Sequence, residues 1–275
     1  MHHTQENSKP VSFARMENQD DCRIFDGDCL SSLMDGNPIS TFVINTDHHV
    51  VIWNHACEIL TGVSREKVLN FRVEFEGRIR SNPTDGWMNL SSVQYNFTDK
   101  PTRIFYIKAS KMGIPAIGIH LYKDETAIML IKILGLLTVS DAKGTKMNQG
   151  ETVTVFNDMC LMAPATLIDK NIQWESVDPF TVKAKFTNGG ITIGATLSFN
   201  EKGELINFIS YDRFETRDGK TYKNYPWKTP VMEYKLINGY QLALGGQAIY
   251  EHPDGDFCYG EFIIKNIEYN CKELK

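Results

Sequence analysis

The sequence predicts a mainly β protein of the α+β class, with a large curved antiparallel sheet or open barrel and one or two plugging helices. The first observation is the stretch Phe180–Tyr211, where apolar and polar residues alternate with a period of two around two glycine-containing turns. Such alternation is typical of an antiparallel meander. The second observation is that about eleven strand-like runs follow one another from Phe71 onward, against one clear helix. At 275 residues, the chain is long enough to bury about 75% of the surface that its unfolded form exposes.

Charge and composition exclude several classes of partner. The 29 basic and 34 acidic residues give a formal charge of -5 without a long run of one sign, which argues against nucleic acid or an anionic membrane surface. The longest apolar run, residues 127–139, is interrupted by Lys132 and is too short to span a bilayer. Residues 1–10 lack the basic start and apolar core of a secretory signal. We therefore expect a cytoplasmic protein without a membrane span.

The cysteines give no sign of a metal or redox site. None of the six stands in a CxxC or CxxCH motif, so neither a zinc ribbon, a thioredoxin-type site nor attached haem is indicated. Free thiols in a reducing cytosol are the expectation. No cofactor and no metal are predicted.

The first 70 residues divide into two parts. Residues 1–36 are polar with few large apolar side chains, which predicts a flexible arm. Strands are expected at Thr41–Asn45 and His49–Trp53, followed by a helix from Asn54 to Leu60 that Gly62 ends. The segments Asn37–Ile39, Phe42–Asn45 and Trp53–Val68 resemble the opening two strands and first two helices of PAS sensory domains.

Nothing after Leu69 resembles the remaining PAS strands, so the resemblance implies a truncated PAS-like segment over residues 37–70. Its exposed sheet edge would have to be covered by the rest of the chain or by a second subunit. A docking element or a homodimer is the consequence that we expect.

The β-rich domain is predicted to span residues 71–275. Phe71, Val73 and Phe75 alternate with charged residues, so one face of this strand should be core and the other solvated. In the next strand Val93, Tyr95 and Phe97 share a face. Three more strands are expected at 103–109, 114–122 and 126–134, and residues 135–144 are interpreted as a connection.

The clearest helix is predicted at residues 149–161. Val155, Phe156 and Met159 recur at spacings of three and four together with Thr152 and Cys160, giving one apolar stripe. Pro164 marks its end, and a further turn is expected at residues 165–168. The meander follows, then a loop-rich stretch over 211–229, a hairpin around Asn238-Gly239, and a last strand at 257–269.

Residues 71–270 resemble, over their whole length, a widespread prokaryotic family of unknown function. The resemblance fixes the domain and assigns no activity. Its architecture looks like the unclosed barrel of lipoprotein carriers and related lipid-binding folds, which is an analogy of architecture only. The blocks that carry it are Gln149–Glu151, Cys160–Ala165, Ile172–Glu175, Phe186–Gly190, Asp212–Phe214, Pro226–Trp227 and Pro253–Tyr259.

Catalytic motifs are absent from the sequence. No GxSxG, Walker, GxGxxG or HExxH pattern occurs. The pairs Glu151 with Asp158, and Asp212 with Glu215, are the nearest carboxylates, and spacing alone does not show that they converge; a helix N-terminal Glu151 on the helix dipole and solvated loop charges are the simpler interpretation. A further group, His48, His49 and His55, is better explained as a surface turn than as a metal site.

The remaining candidates are polar and aromatic residues of the kinds that fix a ligand in an apolar cup. They predict non-catalytic binding of an apolar or amphipathic small molecule, although Trp174 and Trp227 are equally well explained as core anchors and Arg213 as a structural partner of Glu151. Two alternatives stay open: a hydrolase or isomerase for an apolar substrate, with Glu151, Arg213 and Tyr259 converging, and a PAS-linked signalling or interaction module. The candidate ligand-binding residues are Gln94, Gln149, Glu151, Trp174, Arg213, Trp227 and Tyr259.

Overall fold

The computed structural model describes residues 42–44, 50–53 and 68–273. Strands β1 (Phe42–Ile44) and β2 (Val50–Trp53) pair antiparallel, as the sequence predicts for this stretch. The predicted N-terminal arm and the predicted helix from Asn54 lie outside the described residues.

Six consecutive strands form the first half of the large sheet. Each pairs antiparallel with the next along the chain, which confirms the predicted meander for the first five. They are β3 (Asn70–Ile79), β4 (Met88–Phe97), β5 (Thr102–Lys111), β6 (Ile114–Lys123), β7 (Thr126–Ile133) and β8 (Leu137–Lys143).

Strand β8 corrects the sequence interpretation, which treats residues 135–144 as a connection. Its apolar residues Leu137 and Val139 are exposed, whereas Ser140 and Ala142 are buried. The hydrophobic pattern is therefore inverted with respect to an ordinary half-buried strand, and the usual signal is lost.

A similar inversion occurs on β4. Its buried residues are Leu90, Ser92, Gln94 and Asn96, so the apolar face predicted from residues 93, 95 and 97 is not the inward one. The inward face of this strand is polar, and this places two amides inside the molecule.

Helix α1 (Thr145–Met162) follows β8 and leads into a short 3-10 helix (Pro164–Ile168). The sequence predicts α1 from residue 149, but it begins at Thr145. Gly144 precedes it without a side-chain capping hydrogen bond, so no capping residue marks the start.

The second half of the sheet contains the predicted central meander and the C-terminal strands. Among the shorter pairs, β16 and β17 form the hairpin predicted around Asn238-Gly239. The strands are β9 (Ile172–Asp178), β10 (Thr181–Asn188), β11 (Ile191–Phe199), β12 (Leu205–Ser210), β13 (Phe214–Glu215), β14 (Lys223–Asn224), β15 (Trp227–Lys228), β16 (Tyr234–Ile237), β17 (Tyr240–Ala243), β18 (Gly245–His252) and β19 (Gly255–Tyr269).

One 13-stranded antiparallel sheet unites the two halves, in the order β8-β7-β6-β5-β4-β3-β19-β18-β15-β12-β11-β10-β9. Helix α1 contacts strands of both halves, including β7 and β11, so the sheet curves around it. The edge strands β8 and β9 do not pair with each other. The predicted architecture of a curved open barrel with a plugging helix is confirmed.

Close approach of strands requires glycine beside β19. A Cβ built on Gly77 would lie 1.9 Å from the carbonyl oxygen of Glu261, and one built on Gly245 would lie 2.0 Å from that of Phe262. Since backbone atoms cannot move aside cheaply, only glycine fits at these two points on the flanks of β19.

Candidate functional site

Helix α1 is buried on two opposite faces. One face packs against β10–β12 and β15 in what we call the aromatic core, where Phe156 lies between Phe186 and Phe208. The other face carries Glu151, Thr154, Asn157, Asp158, Leu161 and Met162, which recur at helical spacing and line a cavity of about 200 Å³.

The cavity lies between α1 and the concave side of the sheet, against residues of β3–β7, β15, β18 and β19. Most of its wall is apolar and the aromatic rings pack edge to face, with Phe262 at 6.0 Å from Phe75 and 6.4 Å from Phe105 between ring centroids. Further apolar lining comes from Ile107, Leu161 and Ile264.

A set of buried charges, the Arg103 cluster (Gln94, Arg103, Glu151 and Asp158), forms part of the wall. Arg103 donates from Nε to Asp158 Oδ2 at 2.8 Å and from Nη1 to Glu151 Oε2 at 3.1 Å. Its Nη2 donates to Gln94 Oε1 at 2.9 Å, and Gln94 Nε2 donates to Asp158 Oδ2 at 2.8 Å. The cluster thus satisfies its own buried charges.

The two carboxyls of the Arg103 cluster differ in pKa. Burial alone would raise the pKa of Glu151, but Arg103, His120 and Arg213 together lower it to about 2. Burial raises the pKa of Asp158, and the opposing effect of Arg103 does not cancel it. Because His120 Nδ1 lies 3.3 Å from Glu151 Oε1, a histidine and a carboxylate meet at the cavity wall.

A second polar group surrounds Arg213, on the connection between β12 and β13. Its Nε donates to Thr154 Oγ1 at 3.1 Å, and its Nη1 donates to the hydroxyl of Tyr250. The guanidinium also lies over the Trp227 ring, 4.5 Å from the centroid. Trp227 Nε1 donates to the hydroxyl of Tyr259 at 3.1 Å.

The structure brings together five of the seven residues predicted from the sequence to bind a ligand. Two lie elsewhere: Gln149 donates to Asp212 Oδ1 at 3.3 Å, and Trp174 is 43% exposed and packs on the far side of Phe156. The five that line the cavity are Gln94, Glu151, Arg213, Trp227 and Tyr259.

Arg103 and His120 line the cavity and were not among the sequence candidates. Arg103 stands in phase with Phe105, Ile107 and Ala109, all of them buried. An arginine at an apolar-face position of a strand was the signal that could have identified it. For His120 no such signal exists, since nothing in the sequence pairs β6 with the middle of α1.

Glu151 and Asp158 do converge, on Arg103, and Glu151 is fully buried within α1 rather than at its N-terminus. The other predicted pair stays apart from the cavity lining. Asp212 accepts from the backbone of Gly194 at 2.7 Å, and Glu215 pairs with His252 at 2.9 Å.

Within the described ranges, no group of three or more histidine, cysteine or acidic residues is arranged to hold a metal ion. The histidines at positions 48, 49 and 55 lie outside those ranges. In the same part of the chain, no helix is both long and apolar enough to cross a membrane.

A family model described as a family of unknown function, DUF6544, matches residues 58–262. No curated protein matches the chain. The resemblance to PAS domains is not found by these comparisons; docking or dimerisation through residues 37–70 stays a prediction.

Several solved structures are similar in fold. One is a putative outer membrane lipoprotein-sorting protein domain from Vibrio parahaemolyticus, with 7% identity, a TM-score of 0.45, and coverage of 76% of this chain and 89% of that chain. A DUF1329 family protein from Desulfovibrio piger has 12% identity, a TM-score of 0.43 and coverage of 76% and 89%. A LolA superfamily protein from Nitrosomonas europaea has 8% identity, a TM-score of 0.43 and coverage of 79% and 94%.

The cytoplasmic location predicted from the sequence is not supported. The cytoplasmic assignment is contradicted by the finding that the similar structures include an outer membrane lipoprotein-sorting protein domain and a LolA superfamily protein. Among the described residues, Cys160, Cys258 and Cys271 are free thiols.

Proposed function

The chain belongs to DUF6544, a family of unknown function, and we propose that it binds an apolar or amphipathic small molecule in the cavity between α1 and the curved sheet. The observation that carries the proposal is the cavity itself. Protein interiors are close-packed, and voids much larger than a water molecule are few. A space of about 200 Å³ holds many times the volume that one water requires.

The chemistry of the wall supports a ligand rather than bulk water. Ligand sites are mostly apolar with a few placed polar groups that fix orientation, and here the rings of Phe75, Phe105 and Phe262 face the same space as Arg213 and Tyr259. The apolar wall offers area for a hydrocarbon group. The polar groups offer hydrogen bonds at defined positions.

Native mass spectrometry of freshly purified protein tests the proposal. We expect a stoichiometric adduct that organic extraction removes and identifies. The variant Ala243→Phe, which places a ring in the cavity, should reduce the adduct at least tenfold, whereas Ala165→Phe in the 3-10 helix, which does not line the cavity, should retain it. An adduct unchanged by Ala243→Phe would refute this location. The same spectrum reports the oligomeric state and so tests the predicted homodimer.

A second function is favoured by one specific observation. Glu151, Arg213 and Tyr259, the three residues required for the enzyme alternative, line the same cavity, and His120 contacts Glu151 there. A histidine held by a carboxylate is a common general base. A hydrolase or isomerase for an apolar substrate would then use His120 for proton transfer.

Comparison of extracts from the wild type and from His120→Gln separates binding from catalysis. A binding protein should yield the same compound from both chains. An enzyme should yield an unconverted substrate only from the variant, because the wild type turns its substrate over during expression.

A further inference from the structure

Arg213 differs from the other arginine of the cavity in having no carboxylate partner. Arg103 forms ion pairs with Glu151 and Asp158. Among the described residues, no carboxylate oxygen lies within 4.0 Å of the Arg213 guanidinium nitrogens, so none forms a salt bridge with it. The hydroxyl groups that contact it, those of Thr154, Tyr250 and Tyr259, are neutral.

Glu151 is a carboxylate whose charge acts on Arg213, and its oxygens are already engaged. Glu151 Oε2 accepts from Arg103 at 3.1 Å, and Glu151 Oε1 lies 3.3 Å from His120 Nδ1. Glu151 and Arg213 therefore interact electrostatically at longer range, without a shared hydrogen bond. A guanidinium in an apolar surrounding without a direct counter-ion is costly.

The groups around Arg213 hold its guanidinium plane in place. The ring of Trp227 lies against it, with its centroid 4.5 Å from Cζ, and Thr154 fixes Nε from α1. The Tyr250 hydroxyl accepts from Arg213 and donates to the Phe214 carbonyl oxygen at 3.1 Å. A planar guanidinium anchored in this way keeps N–H groups for an oxyanion, to which it can bind in bidentate fashion.

Tyr259 adds a further donor beside Arg213. Its hydroxyl oxygen accepts from Trp227 Nε1, and its ring stacks on Tyr250 with 5.4 Å between centroids. Because that oxygen accepts from Trp227 and also lies against the Arg213 guanidinium, the hydroxyl proton can be donated to a further group. Arg213 and Tyr259 thus form a donor-rich part of a wall that is otherwise mainly apolar.

We propose that the ligand is an amphipathic molecule with an oxyanion head group, a carboxylate or a phosphate, that binds Arg213 and Tyr259 while its hydrocarbon part lies on the phenylalanine wall. This inference rests on the proposed binding function and names its ligand class. The oxyanion supplies the direct counter-charge that Arg213 lacks. The Arg103 cluster takes no part in holding it, because the charge of Arg103 is already paired with Glu151 and Asp158.

Calorimetric titration with four eight-carbon probes tests the inference: octanoate, octyl phosphate, octanol and octyltrimethylammonium. We expect octanoate or octyl phosphate to bind at least tenfold more tightly than octanol, which is the gain typical of a charge-assisted hydrogen bond. The cation should bind most weakly. The order of the two anions distinguishes a carboxylate from a phosphate head group.

Variants locate the effect. Arg213→Met should remove the preference for the anions over octanol, and Arg213→Lys should retain part of the preference. Arg78→Met is the matched control, because Arg78 is a half-exposed arginine paired with Glu261 outside the cavity. Arg78→Met should leave the order of affinities for the four probes unchanged.

Two other results would count against the inference in different ways. If octanol binds as tightly as the anions, the head-group assignment is wrong while the binding function stands. If none of the probes binds and no adduct is extracted, the binding function itself fails. If Arg213→Met does not fold, the comparison of head groups on the wild type still decides.

Discussion

The two faces of α1 bury different chemistry, although they belong to the same helix. On one face Phe156 stacks on Phe186 with 5.2 Å between ring centroids and meets Phe208 at 5.9 Å. On the other face Glu151 and Asp158 share Arg103 and border a cavity of about 200 Å³. Close packing on the first face holds the helix in place, so that the second can leave space and position charged groups.

Removal of an aromatic ring should distinguish the two faces of α1 most clearly. Phe156→Ala should lower the free energy of unfolding by about 3–5 kcal/mol, because the ring is completely buried and its removal leaves a void among rings on several sides. Phe105→Ala should cost less, since one side of that ring already faces the cavity. Urea denaturation of both variants gives the two values. Equal losses would mean that the two faces do not differ in packing.

The aromatic face of α1 is the part of the molecule that the sequence predicts well. Val155, Phe156 and Met159 recur at helical spacing, and the facing strands alternate with a period of two, so local pattern and global burial agree. Where the pattern is inverted, as on β8 with Ser140 buried and Leu137 exposed, the prediction fails. There the backbone forms hydrogen bonds within the sheet, while apolar side chains of the strand stay exposed.

The charged face should respond to pH where the aromatic face does not. The pKa of Glu151 falls from its ordinary 4.5 to about 2 in the folded chain, so the unfolded state binds a proton first as the pH drops. Its ionisation thus contributes about 3 kcal/mol of stability above pH 4.5. Glu151→Gln should remove that contribution at pH 7. The difference in the free energy of unfolding between the variant and the wild type should decrease as the pH falls from 4.5 towards 2.

The control for Glu151→Gln is Glu76→Gln, because Glu76 makes an exposed ion pair with Lys265 at 3.1 Å. Exposed ion pairs of this kind contribute little to stability, so Glu76→Gln should change the free energy of unfolding by no more than about 0.5 kcal/mol at every pH. Chemical denaturation of the three chains between pH 7 and pH 3 gives the comparison. If the loss of stability in Glu151→Gln does not vary with pH, it comes from packing and not from the charge of Glu151.

The cavity itself could be predicted only in part from the sequence. Arg213, Trp227 and Tyr259 stand out because large polar and aromatic residues cluster in the blocks that resemble a family. Trp174 has the same character, yet it lies on the far side of Phe156 from the cavity. Residue type alone cannot decide between the two tryptophans, since the register of β9 and β15 against α1 is set by contacts distant in sequence.

Added side-chain volume should also affect the two faces of α1 differently, by a smaller amount. Ala184 is buried in the aromatic core on the same face of β10 as Phe186, and Ala243 lines the cavity. Ala184→Phe should lower the free energy of unfolding by about 1–3 kcal/mol because a close-packed core has no room for a ring. Ala243→Phe should change it by less than about 1 kcal/mol, since the ring enters existing space and buries apolar surface. Thermal denaturation of ligand-free protein measures both. Equal destabilisation would show that the space beside α1 cannot accept a ring, and with it the argument for a ligand there would be lost.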